Sequence, residues 1–261
     1  MTDKILTEQT GEIARIIFNQ PEKRNAVSLE MWEAVEAALT RFEADPSVRI
    51  LILSGAGGKA FVSGADISKF ESERASEEAV AHYNATTKRV YDRMEAFTKP
   101  TIAQIDGFCI GGGVALALCC DLRICGEGSN FAVPAAKLGL GYGFPGIKRL
   151  VDVVGPSFAK EIFFTARRFT AEEARVMGLV NRVVPDAEVG TVAQETAQMI
   201  AANAPMTVNS VKFIVGQTVT PESERDLEGC EARVNACFGS QDYIEGRRAF
   251  LEKRKPNFVG A

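Results

Sequence analysis

Lys99-Pro100-Thr101-Ile102-Ala103-Gln104-Ile105, then Asp106-Gly107-Phe108-Cys109-Ile110-Gly111-Gly112-Gly113, then an apolar run over 114–120: this stretch reads as strand, glycine turn, helix. Its first segment is a short apolar run of the kind a strand buried on both faces makes. Three consecutive glycines then introduce the helix. A similar order stands upstream. Residues 50–53 (Ile-Leu-Ile-Leu) form another continuous apolar strand, followed by a turn at Gly55, Gly57 and Gly58, the segment Ala60-Phe61-Val62-Ser63-Gly64-Ala65-Asp66-Ile67, and a long helix over about 77–97. Weaker strand signals recur over 122–125 and 179–184, each after a helix. Strands alternating with helices predict an α/β core.

Working outward, two strands are expected over 4–9 and 13–19, ahead of a loop containing Pro21. A helix follows over 29–42, with Ser28 as N-cap, Met31, Val35, Ala38 and Leu39 at helical spacing, and Pro46 as its stop. Beyond about Thr191 strand signals cease, and 192–202, 205–219, 223–238 and 243–253 all carry helical patterns. The expected division is therefore an α/β core over 1–195 and an α-helical module for packing or assembly over 196–261. No sequence repeat, low-complexity tract or long linker interrupts the chain.

Composition removes several classes of function. The 261 residues are 46% hydrophobic and 25% charged, as in a globular protein rather than a disordered one. A net charge of −4, from 34 acids and 30 bases with no basic stripe, argues against a nucleic-acid partner. No leader pattern and no run of about eighteen apolar residues is present, so a cytoplasmic protein with no membrane partner is expected. Of the six cysteines, Cys109, Cys119, Cys120 and Cys125 crowd into an apolar segment without a C-x-x-C spacing, and read as core thiols; Cys230 and Cys237 lie further on. The single histidine, His82, sits in a polar helical stretch and reads as a solvent-facing residue. Neither a serine–histidine–aspartate triad nor a multi-histidine metal site is expected with it.

The glycine loops do not fit phosphate-binding motifs. The stretch ending at Gly58-Lys59 has Leu53 where a Walker loop needs its first glycine, and Ala60 where the loop needs a hydroxyl. Gly139, Gly141 and Gly143 precede no clear helix, which argues against a dinucleotide fingerprint. Two uses remain for Gly111 to Gly113: a tight turn that packs a helix close to a strand, or backbone N–H groups offered to a substrate oxygen, an oxyanion hole in outline. Ser63 to Asp66 is open to the same pair of readings, surface turn or second half of such a hole.

These segments resemble the crotonase (enoyl-CoA hydratase/isomerase) superfamily over nearly the whole chain, from Lys23-Arg24-Asn25-Ala26-Val27 to Ala249-Phe250-Leu251-Glu252-Lys253-Arg254-Lys255-Pro256-Asn257-Phe258. The resemblance implies a spiral of ββα units, a C-terminal helical trimerisation module, and a homotrimer or a hexamer of two stacked trimers. It implies an acyl-CoA substrate of fatty-acid metabolism, with no separate cofactor and no metal, coenzyme A being part of the substrate. By position, the N–H groups of Ala65 and Gly112 would hold the thioester oxygen as an enolate forms. Lys23 and Ala26 fall where the family meets coenzyme A, Asp66 and Ile67 near the adenine, and Phe250 with Lys253 where a neighbouring subunit closes on the coenzyme.

The sequence departs from the family at the two positions where hydratases carry glutamates, which here are Ala115 and Ala135. An alanine cannot act as general acid or base, and each lost carboxylate should slow hydration by about 10²- to 10⁴-fold. Decarboxylation needs no base to begin, and Lys137-Leu138-Gly139-Leu140-Gly141-Tyr142 resembles the methylmalonyl-CoA decarboxylase branch, which has a tyrosine at the place of Tyr142. That branch carries a histidine where Ala65 stands and an acid near Ala115, both absent here. The expectation is a decarboxylase-type lyase using Ala65, Gly112 and Tyr142. Two alternatives stand beside it: a 2-enoyl-CoA hydratase or isomerase with a base from elsewhere, and a non-catalytic binder of CoA thioesters. Glu71, Glu73 and Asp121 are further titrating candidates, Asp121 reading as structural.

Overall fold

The computed structural model describes residues 2–69 and 75–261, without the side chain of Ile67. The N-terminal segments form a hairpin in which β1 (Ile5–Thr10) pairs antiparallel with β2 (Ile13–Phe18). α1 (Leu29–Ala44) starts after Ser28 and buries Met31, Trp32, Val35, Leu39 and Phe42, the stripe its spacing predicts.

A two-strand, one-helix unit then recurs three times: β3 (Ile50–Gly55), β4 (Ala60–Val62) and α2 (Glu77–Glu95); β5 (Thr101–Ile105), β6 (Phe108–Ile110) and α3 (Gly112–Leu118); β7 (Leu122–Gly126), β8 (Asn130–Ala132) and α4 (Phe144–Thr165). The chain closes with β9 (Phe169–Thr170), α5 (Ala171–Val176), β10 (Arg182–Val184), α6 (Val189–Ala201), α7 (Pro205–Val219), α8 (Leu227–Phe238) and α9 (Gln241–Glu252). Each unit gives its first strand to a large sheet of order β1-β2-β3-β5-β7-β10 and its second to a small sheet of order β4-β6-β8-β9. The spiral of ββα units is thus present.

β3 shows why its sequence is a continuous apolar run. Leu51 and Leu53 face the main core with Phe18, Trp32, Phe61 and Phe131, whereas Ile50 and Ile52 face Ala193, Ala197 and Ala201 of α6. Both faces of the strand are covered, so alternation disappears. Each such side chain contributes roughly 1.5–3 kcal/mol by leaving water. The expected division after residue 195 falls inside α6, a continuous helix whose three alanines pack on the large sheet.

Several elements went unread in the sequence, among them β6, β8, β9 and α4. β6, β8 and β9 span only three or two residues, too short to show periodicity. α4 is broken at Gly155, whose φ of 74° and ψ of 167° interrupt the helix ahead of Pro156. Its N-cap is Gly143, so the series Gly139, Gly141, Gly143 does lead into a helix, contrary to the reading above. Cys109, Cys119, Cys120 and Cys125 are buried free thiols, as expected. Among the described residues no helix is long and apolar enough to cross a membrane.

Candidate active site at the edge of the small sheet

β4, β6 and β8 run parallel, with Val62 beside Cys109 and Cys109 beside Phe131, so the segments that leave them emerge on one edge of the small sheet. Those segments contain Ala65 after β4, Gly112 and Ala115 after β6, and Ala135 and Tyr142 after β8. Parallel pairing therefore gathers residues distant in sequence at the carboxyl ends of three strands, where α/β proteins form their sites.

The first two turns touch. Gly111 has φ 55° and ψ −112°, a conformation closed to residues with a side chain, and its N–H donates to Ala132 C=O at 2.8 Å. A Cβ on Gly113 would stand 2.1 Å from Val62 O, so glycine is required for α3 to approach β4 this closely. A Cβ on Gly112 would lie 3.9 Å from Gly64 Cα, which sets the two turns against each other. Tight packing and an available pair of amides, left open by the sequence as rival uses, are therefore compatible here.

The hydrogen bonds around Ala65 are made by its neighbours. Val27 N–H donates to Gly64 C=O at 2.8 Å and Asp66 N–H to Val27 C=O at 2.9 Å, an arrangement that leaves Ala65 N–H outside the bridge. Gly112 is the first residue of α3, so its N–H has no acceptor within the helix.

Among the described residues after β6 and β8, those brought to this end of the sheet include two small apolar side chains and a phenol. Ala115 and Ala135 are buried, at 7% and 6% exposure. Tyr142 is half-buried, stacks edge-on against Phe163 at 4.8 Å, and lies over Gly146, where a Cβ would meet its ring at 2.8 Å. Tyr91, on α2, was not singled out in the sequence, where an aromatic residue in an amphipathic helix reads as core. Its hydroxyl donates to Gly112 C=O at 3.2 Å, and its ring packs edge-on against Trp32 at 5.4 Å. Burial raises the pKa of both phenols, and for Tyr91 the proximity of Tyr142 adds to it. Both are therefore neutral hydrogen-bond donors near pH 7.

The Lys23–Val27 loop stands next to the Ala65 turn. Buried Asn25 organises it: its side-chain oxygen accepts from Gln20 N–H, and its amide donates to Ala56 and Ala60 C=O. Lys23 Nζ pairs with Asp66 Oδ2 at 2.8 Å and donates to Ser68 Oγ at 2.7 Å. Burial would raise the pKa of Asp66, but hydrogen bonds from Lys23, Ser68 and Gln20 outweigh it and hold the carboxyl at about 2. Ala26 lies between Lys23 and the Val27–Ala65 bridge, and Ile67 opens a short 3-10 turn after Asp66.

Phe250 and Lys253 belong to the C-terminal helical layer. Phe250 is 84% exposed along an apolar groove of about 780 Å³ between α7, α8 and α9, and Lys253 is the left-handed cap of α9. Asp121 is structural: it accepts from Thr101 N–H and pairs with Lys212. His82 is exposed and faces Glu33. Glu71 and Glu73 lie outside the described residues. Among the described residues no group of three or more His, Cys, Asp or Glu side chains is arranged to hold a metal.

With this geometry in hand, the comparison with known proteins is direct. The model of the enoyl-CoA hydratase/isomerase family matches residues 8–261. This chain belongs to that family. It is 35% identical over 257 residues to the crotonyl-CoA hydratase of Syntrophomonas wolfei subsp. wolfei, covering 98% of each protein. It is 34% identical over 253 residues to the short-chain-enoyl-CoA hydratase of Clostridium acetobutylicum, covering 97% of this chain and 96% of that one. The crystal structure of an enoyl-CoA hydratase/carnithine racemase from Magnetospirillum magneticum superposes with a TM-score of 0.92 at 36% identity, over 100% of this chain and 97% of the other. The crotonase fold expected from the two loops is thereby established.

Proposed function

We propose that this enoyl-CoA hydratase/isomerase family member acts on acyl-CoA thioesters by stabilising an enolate between the N–H groups of Ala65 and Gly112. The observation that supports the reading is the pair of abutting turns, each with a backbone N–H that neither the Val27–Ala65 bridge nor α3 uses. Two such donors aimed at developing charge are worth far more in a site sheltered from water than in solution. Lys23 and Ala26 would take the coenzyme, with Asp66 and Ile67 near its adenine. Trimers or stacked trimers joined through α7–α9 would bring Phe250 and Lys253 to a neighbour's coenzyme and cover the apolar groove.

Decarboxylation is the reaction that suits the side chains. The bond from the α-carbon to the carboxylate breaks, carbon dioxide leaves, and its electron pair moves into the thioester as an enolate. Tyr142, kept protonated by burial, then passes a proton to the α-carbon and is reprotonated from solvent. Ala115 and Ala135 can neither deliver nor activate water. The names of the relatives favour a second reading, hydration of a 2-enoyl-CoA with a base from elsewhere.

One panel separates them. Incubation with methylmalonyl-CoA or ethylmalonyl-CoA should yield the decarboxylated thioester, while crotonyl-CoA should lose its enoyl absorbance no faster than in buffer. Rapid loss of that absorbance, with no decarboxylation, would establish the hydratase in its place. Tight thioester binding without turnover of any member would leave a binding protein.

A further inference from the structure

We propose that Tyr91 is a positioning residue for this chemistry, through the hydrogen bond from its hydroxyl to the Gly112 carbonyl; the inference rests on the enolate reading above. The turn at Gly112 is held from three sides. Before it, Gly111 N–H donates to Ala132 C=O at 2.8 Å, and Ala115 N–H donates to Gly111 C=O at 3.2 Å, which orients the peptide unit carrying Gly112 N–H. After it, Tyr91 Oη donates to Gly112 C=O at 3.2 Å. The first two contacts, one with β8 and one within α3, come from the backbone and survive any side-chain change. The third comes from one phenol on another helix.

That phenol is itself fixed. Its ring packs edge-on against Trp32 at 5.4 Å, and Arg149 covers it at 5.7 Å from the ring centre. Arg149 in turn is pinned by an ion pair to Glu95, one turn further along α2, and by another to Asp92. Space confirms the fit: a Cβ on Gly112 would come to 3.3 Å from Tyr91 Oη, so the hydroxyl occupies the position next to the glycine that a side chain would otherwise take. A donor rotated by a fraction of an ångström stabilises an oxyanion less, because the benefit depends on alignment set before the reaction. Tyr91 thus acts on the reaction through Gly112, while Tyr142 is the phenol assigned to the substrate.

The test uses the full-length protein and acetoacetyl-CoA, whose enolate has its own near-ultraviolet band and so reports the alignment of the two amides. The wild-type protein should bind it as the enolate. Tyr91→Phe, which keeps the ring against Trp32, should lower the bound enolate fraction by about tenfold, the scale of one networked hydrogen bond. It should leave the affinity for coenzyme A itself unchanged, and on the productive substrate kcat should fall while KM holds. 3-Fluorotyrosine at position 91, a stronger donor of almost the same volume, should raise the enolate fraction and gives an answer even if Tyr91→Phe folds poorly. An unchanged band in both variants overturns the role of Tyr91 and leaves the enolate reading standing. Absence of the band in the wild-type protein overturns the enolate reading, and the role of Tyr91 with it.

Discussion

The turns at the edge of the small sheet and the α7–α9 layer differ in what the single chain satisfies. At the turns, backbone meets backbone: Gly113 leaves no room for even a methyl group against Val62 O, and Gly111 is tied to Ala132. In the helical layer, Val211, Val234, Phe238, Phe250 and Leu251 stand exposed along a groove. The first region is closed by its own chain, with the N–H groups of Ala65 and Gly112 used by neither the Val27–Ala65 bridge nor α3. The second is an apolar groove that this chain leaves open to solvent.

The same substitution should therefore have opposite signs in the two regions. Gly113→Ala forces a Cβ to within 2.1 Å of a backbone oxygen that cannot move without breaking the β4–β6 pairing. We expect a loss of about 3 kcal/mol or more in a denaturant titration, with turnover abolished. Gly216, inside α7, has nothing within 4 Å of its Cβ position, so Gly216→Ala should stabilise the chain by about 0.4–1 kcal/mol through the unfolded state. Equal effects at the two positions would remove the contrast drawn here.

The two regions also differed in legibility. Helices α1 and α7 show apolar or helix-favouring residues over many turns, and β3 is a run too apolar to be anything but buried, so all three stood out. The site was legible where it is built from glycines, because Gly111 to Gly113 has few structural uses. It was illegible where it depends on pairing across the chain. Tyr91 meets Gly112 only because α2 crosses in front of α3, and no local pattern records that crossing. Asn25 was quoted only as part of the loop motif; nothing in the sequence shows that its side chain bonds three peptide groups from two other segments.

A smaller effect is expected where Lys23 meets Asp66. The Asp66 carboxyl, 5% exposed, is held at about 2 against 3.8 for the free side chain. A depressed carboxyl pKa adds stability that is fully present above about pH 4 and disappears as the pH falls toward 2. Because Lys23 is partly solvated, we place the contribution at about 1–2 kcal/mol. Urea titrations at pH 4 and pH 2 should show a loss larger in the wild-type protein than in Asp66→Asn by this amount, the remaining loss coming from other depressed carboxyls such as Glu245. If both proteins lose stability equally over that interval, the Lys23–Asp66 pair does not anchor the loop.

The smallest effect should come from His82, and α2 shows why. His82 and Tyr91 are nine residues apart, about two and a half helical turns, so they project from opposite faces of one helix. Tyr91 points inward to Gly112, while His82 is 57% exposed and its Nε2 stands 3.8 Å from Glu33 Oε1, on an equally exposed side chain. Surface pairs of that kind contribute little, so His82→Ala should shift stability by less than about 0.5 kcal/mol and leave turnover and its pH profile unchanged. The measurement carries more weight than its size suggests. His82 is the only histidine in the chain, so an activity loss of tenfold or more would mean that an imidazole takes the part in proton transfer proposed above for Tyr142.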